Sequence, residues 1–213
     1  MASPFRLLLV GATGLVGRHV LALALADPRI GRVVAPSRRP LADHPRLQAP
    51  QVAFARLPGQ ADWWRADAVI CTLGTTLRAA GSRAAFRRVD HDHPLAVARL
   101  ARAHGTPTYV LTSAIGADAG SRLFYNRVKG EIERDLAAVG FESLTFARPG
   151  VIGGQREEFR LGERMLTATL DVMAPVLPRR WRPNPAPSIA RELLEAAIRR
   201  PAGIHVVASD RMT

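Results

Sequence analysis

A chain of 213 residues, 47% hydrophobic and 23% charged, can bury one sizeable core, is too short for two full domains, and leaves no case for extended disorder. A formal charge of +12 would suggest nucleic acid or an anionic surface if the basic residues were clustered. They are mostly dispersed, the densest groups being Arg38-Arg39, Arg87-Arg88, Arg179-Arg180-Trp181-Arg182 and Arg199-Arg200, none with the interleaved aromatic and glycine pattern of an RNA-reading sheet.

In chain order, short runs rich in Val, Ile and Leu alternate with longer amphipathic stretches, the pattern of a parallel sheet covered on both faces by helices. Strands are predicted at Phe5 to Val10, Arg32 to Ala35, Gln51 to Ala55, Asp67 to Leu73, Thr108 to Thr112, Ser143 to Ala147 and Ile204 to Ala208. Helices are predicted at Leu15 to Ala26, Ala84 to His104, Phe124 to Val139 and Ser188 to Arg199, the last with Ser188 as its N-cap. Arg6 and the apolar residues after it imitate a secretory leader, but three glycines and Arg18-His19 interrupt the run, which is read as strand and helix instead. The fold class is α/β, a doubly wound parallel sheet of the Rossmann type over residues 1–213. Residues 153–187 form an irregular substrate-side segment in a small C-terminal region, proline-rich from Pro175 to Pro187. Met165, Leu166, Met173 and Trp181 are its candidate pocket walls.

The first strand runs into Gly11-Ala12-Thr13-Gly14-Leu15-Val16-Gly17, which opens a helix, and that context raises a glycine triplet above chance. Gly11 permits a tight turn, Gly14 lets the backbone approach a pyrophosphate, Gly17 lets helix and strand pack closely, and the N–H groups around Thr13, Leu15 and Val16 face the phosphates. An NAD-preferring site carries an acidic residue roughly 20 residues past the glycines. Here Ser37, Arg38 and Arg39 stand at the end of the second strand, and guanidinium groups suit a ribose 2′-phosphate, so the expected cofactor is NADP(H). Leu73, Gly74, Thr75 and Thr76, after the fourth strand, fall where a small edge would pass beside the dinucleotide.

Tyr125 and Lys129 lie four residues apart on one face of a predicted helix, and Ser113 ends the fifth strand. A phenol exchanges protons poorly at neutral pH unless a cation stabilises its anion. Lys129 could supply that charge, and Ser113 could hold a substrate carbonyl and the oxyanion that develops on it. Among 30 basic side chains Lys129 is the only lysine, which suggests a site that requires an ammonium.

These segments carry a resemblance. GATGLVG, SRR, CTLGTT followed by AGS and VD, LTSAIGAD, FYNRVKGEIE and ARPGVI together resemble the short-chain dehydrogenase/reductase superfamily, in particular its atypical branch related to the Tat-interacting protein oxidoreductases, from Leu7 to about Ile152. The resemblance implies a nicotinamide near catalytic Ser113, Tyr125 and Lys129, the last two also touching the cofactor, with Pro149, Gly150 and Val151 lining its amide end. It implies an NADP-dependent oxidoreductase acting on a carbonyl or alcohol. Two alternatives stand beside it: an NADP(H)-binding regulatory protein with little turnover, and a sugar-nucleotide epimerase or dehydratase. The sequence departs from the superfamily at Asp90, where many members carry the asparagine of a proton relay, and at Ala53 to Leu57, where many have an aspartate against the adenine.

Asp90-His91-Asp92-His93 invites a metal, but alternate residues on a helix diverge too far to share a coordination sphere, and no metal is expected. The stretch is read as a helix N-terminus with favourably placed carboxylates. Trp63 and Trp64 are read as packing or a shallow interface. The expected partner is a small-molecule substrate, with neither nucleic acid nor membrane, and a homodimer is left open. Cys71, the only cysteine, excludes an intramolecular disulfide and is read as placing the chain in a reducing cytoplasm.

Overall fold

Apolar residues in the strands alternate between two cores, and that alternation builds the sheet. The computed structural model describes residues 4–153 and 183–213. In β1 (Phe5–Val10), Leu7 and Leu9 join one cluster, while Leu8 and Val10 join the other. Burying each such leucine contributes roughly 1.5–3 kcal/mol, which pins the strand's register. The first core is closed by α1 (Leu15–Ala26) and α6 (Ala186–Arg199). The second is closed by α4 (His93–Ala103), α5 (Phe124–Ala137) and the short 3₁₀ turn Asp62–Trp64.

The remaining strands are β2 (Ile30–Val34), β3 (Leu47–Gln48), β4 (Ala68–Cys71), β5 (Thr108–Thr112), β6 (Ser143–Arg148) and β9 (Gly203–Ala208). They form one sheet in the order β3-β2-β1-β4-β5-β6-β9, with every neighbouring pair parallel. The order reverses between β1 and β4, and a crevice opens beyond the carboxyl ends of those strands. β7 (Ile152–Gly153) and β8 (Asn184–Pro185) form a separate two-stranded pair. Among the described residues no helix is long and apolar enough to cross a membrane.

Four expectations are corrected. The third strand begins before Gln51: β3 pairs at Leu47 and Gln48, and the same register reappears as a bridge between Ser37 and Gln51. Pro50 stands between them, and lacking an N–H it leaves one rung of the ladder unmade, although its carbonyl accepts from Ser37 N. After the short α2 (Leu77–Ala80), the single helix expected from Ala84 to His104 is three pieces, α3 (Arg83–Arg87), a π-helical turn (Arg88–Asp92) and α4. Pro94 explains the break, because in a regular helix its ring would collide with the Asp90 carbonyl, and a π turn widens the path. Asp90 and Asp92 therefore belong to a continuous helical run and not to a free helix N-terminus. Finally, α6 starts at Ala186, so Ser188 sits inside its first turn and caps nothing; Pro187 is tolerated there because no intrahelical N–H is needed.

Of the irregular segment expected over 153–187, Gly153 belongs to β7, Asn184 and Pro185 to β8, and Ala186 and Pro187 open α6. Met165, Leu166, Met173 and Trp181 lie outside the described residues. Trp63 and Trp64 pack in the core with ring centroids 4.2 Å apart, and Trp64 Nε1 donates to the Pro58 carbonyl at 2.7 Å.

Gly17 is where α1 meets the end of β1: a Cβ there would stand 2.0 Å from the Gly11 carbonyl oxygen. Backbone cannot retreat as a flexible side chain can. Gly17→Ala is expected to lose about 1–3 kcal/mol of stability or more, read from the urea midpoint by circular dichroism; an unmoved midpoint would contradict the packing described.

Candidate functional site

After Val10 the chain turns at Gly11, whose φ of +93° lies in the left-handed region and whose added Cβ would stand 2.6 Å from Thr72 Oγ1. Thr72, the residue after β4, donates toward the carbonyls of Val10 and Gly11, both at 3.1 Å, tying the two central strands together at the crevice. α1 then begins at Leu15, with Gly14 as an N-cap that offers no side-chain cap. Its first-turn N–H groups and positive dipole end thus remain available to an anion.

Over this turn lies a cleft of about 360 Å³. Thr13, Gly14, Leu15 and Val16 contribute to its wall, as do Leu73 to Thr76, Ser113, Tyr125 and Lys129. Elements far apart in sequence therefore bring the glycine turn and the Ser-Tyr-Lys group to one cavity. Arg39 reaches the wall but Arg38 does not; Ser37 is buried behind it, its Oγ accepting from Arg39 N at 3.2 Å and shaping the turn that presents Arg39. Gly11 and Gly17 lie beneath the cleft as packing elements.

Pro149, Gly150 and Val151 do not reach the wall, and Ile152 takes their place. Their backbone is committed elsewhere: the Pro149 carbonyl accepts from Ile115 N, Gly150 N donates to Asn184 Oδ1 at 2.6 Å, and the Val151 carbonyl accepts from Asn184 N. Asn184 is fully buried and also donates to the Ser209 carbonyl.

α5 presents Tyr125, Lys129 and Glu133 at i, i+4 and i+8, one stripe turned toward the sheet. Tyr125 is partly exposed, its ring centroid 5.6 Å from that of buried Phe86. Lys129 is only 4% exposed, and its Nζ lies 2.7 Å from Asp90 Oδ1. Asp90, 1% exposed, accepts from Thr75 N at 2.8 Å through Oδ2, so one carboxylate holds both the ammonium and the loop after β4. The ammonium that the sequence offers as acting alone on Tyr125 is thus half of a buried ion pair. Burial disfavours the charged lysine, but the Asp90 carboxylate, helped by Tyr125, outweighs it, and the Lys129 pKa is raised above its ordinary 10.5.

Ser113 is buried, and its Oγ donates to Glu133, whose carboxylate is also paired with Arg148. His91 turns away from the cleft, its ring nitrogens 2.8 Å from Asp92 and 2.9 Å from Asp135. Arg18, Glu133, Arg148 and Asn184 were not singled out from sequence. Arg18, directly after the glycine motif, lines the cleft, and Glu133 could have been found by extending the Tyr-Lys stripe one more turn; Asn184 gives no local signal.

Among known proteins, the chain is 40% identical over 165 residues to the mitochondrial protein FMP52 of Emericella nidulans, covering 73% of this chain and 70% of that protein. FMP52 of Coccidioides immitis is 34% identical over 208 residues, 89% of this chain and 84% of the relative. The structure of MoeE5 in complex with UDP-glucose and NAD superposes with a TM-score of 0.73 at 17% identity, covering 95% of this chain and 75% of that one, a likeness of fold. No protein-family model matches. The doubly wound parallel sheet of the Rossmann type that the sequence implies is the one observed. The cytoplasmic expectation is corrected, because the relatives are named as mitochondrial proteins. A lone cysteine speaks against a disulfide-dependent setting but does not choose among compartments that keep thiols reduced.

Because the Lys129 pKa is raised in the folded chain, the ion pair's stabilisation is fully present below the ordinary lysine value of 10.5 and is lost as pH rises through the folded-state value. Urea midpoints measured from neutral to strongly alkaline pH should fall more steeply for the parent than for Lys129→Met. Parallel curves would contradict the pairing.

Proposed function

Since this chain belongs to the FMP52 family, we propose that it is an NADP(H)-dependent oxidoreductase of the short-chain dehydrogenase/reductase type, acting on a carbonyl or alcohol carbon. The observation that carries the reading is convergence: Ser113 after β5 and Tyr125 and Lys129 on α5 share a cleft with an uncapped, glycine-opened helix N-terminus. The residues present fit a dinucleotide. The first turn of α1 suits the pyrophosphate, Arg39 and Arg18 suit a 2′-phosphate, and no acidic residue stands at the end of β2 to favour an unphosphorylated ribose.

When bound, the nicotinamide supplies or accepts the hydride. In the reducing direction Tyr125 donates a proton to the substrate oxygen, and Lys129 stabilises the phenolate left behind. Ser113 is assigned to hold the reacting oxygen by donating its single hydroxyl proton, which in the unliganded cleft is given to Glu133 and would have to turn to the substrate. Residues 153–187 are assigned to the substrate side of this single domain.

The MoeE5 likeness favours a second reading, redox-neutral conversion of a nucleotide sugar, because that protein was solved with UDP-glucose and NAD. Net oxidation of NADPH by a carbonyl substrate separates the two, since redox-neutral turnover leaves cofactor absorbance unchanged.

NADPH binding by fluorescence titration and turnover on a panel of aldehydes, ketones and nucleotide sugars test the proposal. Tyr125→Phe is expected to lower turnover about 10²–10⁴-fold while leaving NADPH affinity within about threefold of the parent. Absence of NADPH binding, or a Tyr125→Phe variant as active as the parent, would overturn it.

A further inference from the structure

The cleft wall is electrically lopsided. Among the described residues its basic ones are Arg18, Arg39 and Lys129, and Asp90 is the only acidic one. Asp90 is also the one placed against Lys129, with Oδ1 2.7 Å from Nζ and both side chains at most 5% exposed. Solvent and salt screen such a pair weakly, so its net charge is felt by whatever occupies the neighbouring space.

Asp90 is held where it stands. The π turn forced by Pro94 carries it, Thr75 N donates to its second oxygen, and a Cβ on Gly74 would come within 3.4 Å of Oδ1. The carboxylate therefore sits against the Leu73 to Thr76 loop that forms part of the same wall.

Oxidised and reduced nicotinamide dinucleotides differ by one positive charge on the ring. An uncompensated buried ammonium repels the oxidised form and is indifferent to the neutral reduced one, whereas an ammonium cancelled by a carboxylate lets both enter. We infer that Asp90 sets the redox-form preference of the cleft: by cancelling Lys129 it makes the cationic, oxidised nicotinamide acceptable there. The inference rests on reading the cleft as a dinucleotide site. Its consequence is a protein that can hold the oxidised cofactor from which alcohol oxidation, or redox-neutral turnover, begins. Asp90 acts as a specificity-determining residue through charge, not as a proton donor.

The test compares the dissociation constants of NADP⁺ and NADPH for the parent, Asp90→Asn and Lys129→Met at neutral pH by isothermal titration calorimetry. Asp90→Asn should raise the ratio of the NADP⁺ constant to the NADPH constant about three- to tenfold, and Lys129→Met should lower it by a similar factor, whatever each does to the two affinities in common. A role confined to holding the loop would weaken both forms alike; a ratio unmoved in both variants overturns the inference while leaving the site reading intact. If the parent binds neither form, the dinucleotide reading itself falls. Should Asp90→Asn not fold, the Lys129→Met arm decides, since a ratio that does not fall overturns the inference.

Discussion

An ammonium and a carboxylate, 2.7 Å apart and shielded from water, hold this site together. Lys129 is the only lysine in a chain that uses arginine at every other basic position, and it is also one of its few buried charges. Neither partner is tolerable alone in that setting: breaking a buried pair by removing one side costs about 3–5 kcal/mol, because the other is left uncompensated. The pair binds three elements into one wall, with Lys129 on α5, Asp90 on the π turn before α4, and Thr75 on the loop after β4, whose N–H donates to the same carboxylate.

The rest of the architecture brings those elements together. Reversal of strand order between β1 and β4 opens the crevice, and Thr72 ties the two strand ends beneath it. α5 lies over β5 and β6 so that its apolar face enters the core and its Tyr-Lys-Glu stripe meets the strand ends. Glu133, clamped by Arg148, accepts the hydrogen bond of Ser113, so the serine's orientation is fixed by a residue two helical turns from the tyrosine. The site is thus built of three parts: a glycine turn that opens an uncapped helix, a buried ion pair, and a carboxylate that orients a hydroxyl.

Much of this was legible in the sequence, for identifiable reasons. The glycine turn could be read because strand, turn and helix follow without interruption, and β1, β5 and α1 have the expected bounds since their hydrophobic periods are clean. Prolines caused the main errors. Pro50 removes one rung and hides the true start of β3, and Pro94 breaks an apparently continuous helix with a π turn. That π turn is also why Asp90 read as a departure from a family pattern and not as the partner of Lys129: the contact joins residues 39 apart and depends on a local widening that no periodicity reports. The loop at Pro149 to Val151 was assigned to the wall by resemblance, whereas Asn184 holds its backbone from a distant segment. Compartment could not be inferred from a single cysteine.

The site depends on the energetic coupling of Asp90 and Lys129, and a double-mutant cycle measures that coupling directly. Unfolding free energies of the parent, Asp90→Asn, Lys129→Met and the double variant should show the double losing less than the sum of the singles, by about 2 kcal/mol or more. Losses that simply add would mean that the two side chains do not depend on each other, and the electrostatic core of the site would be wrong.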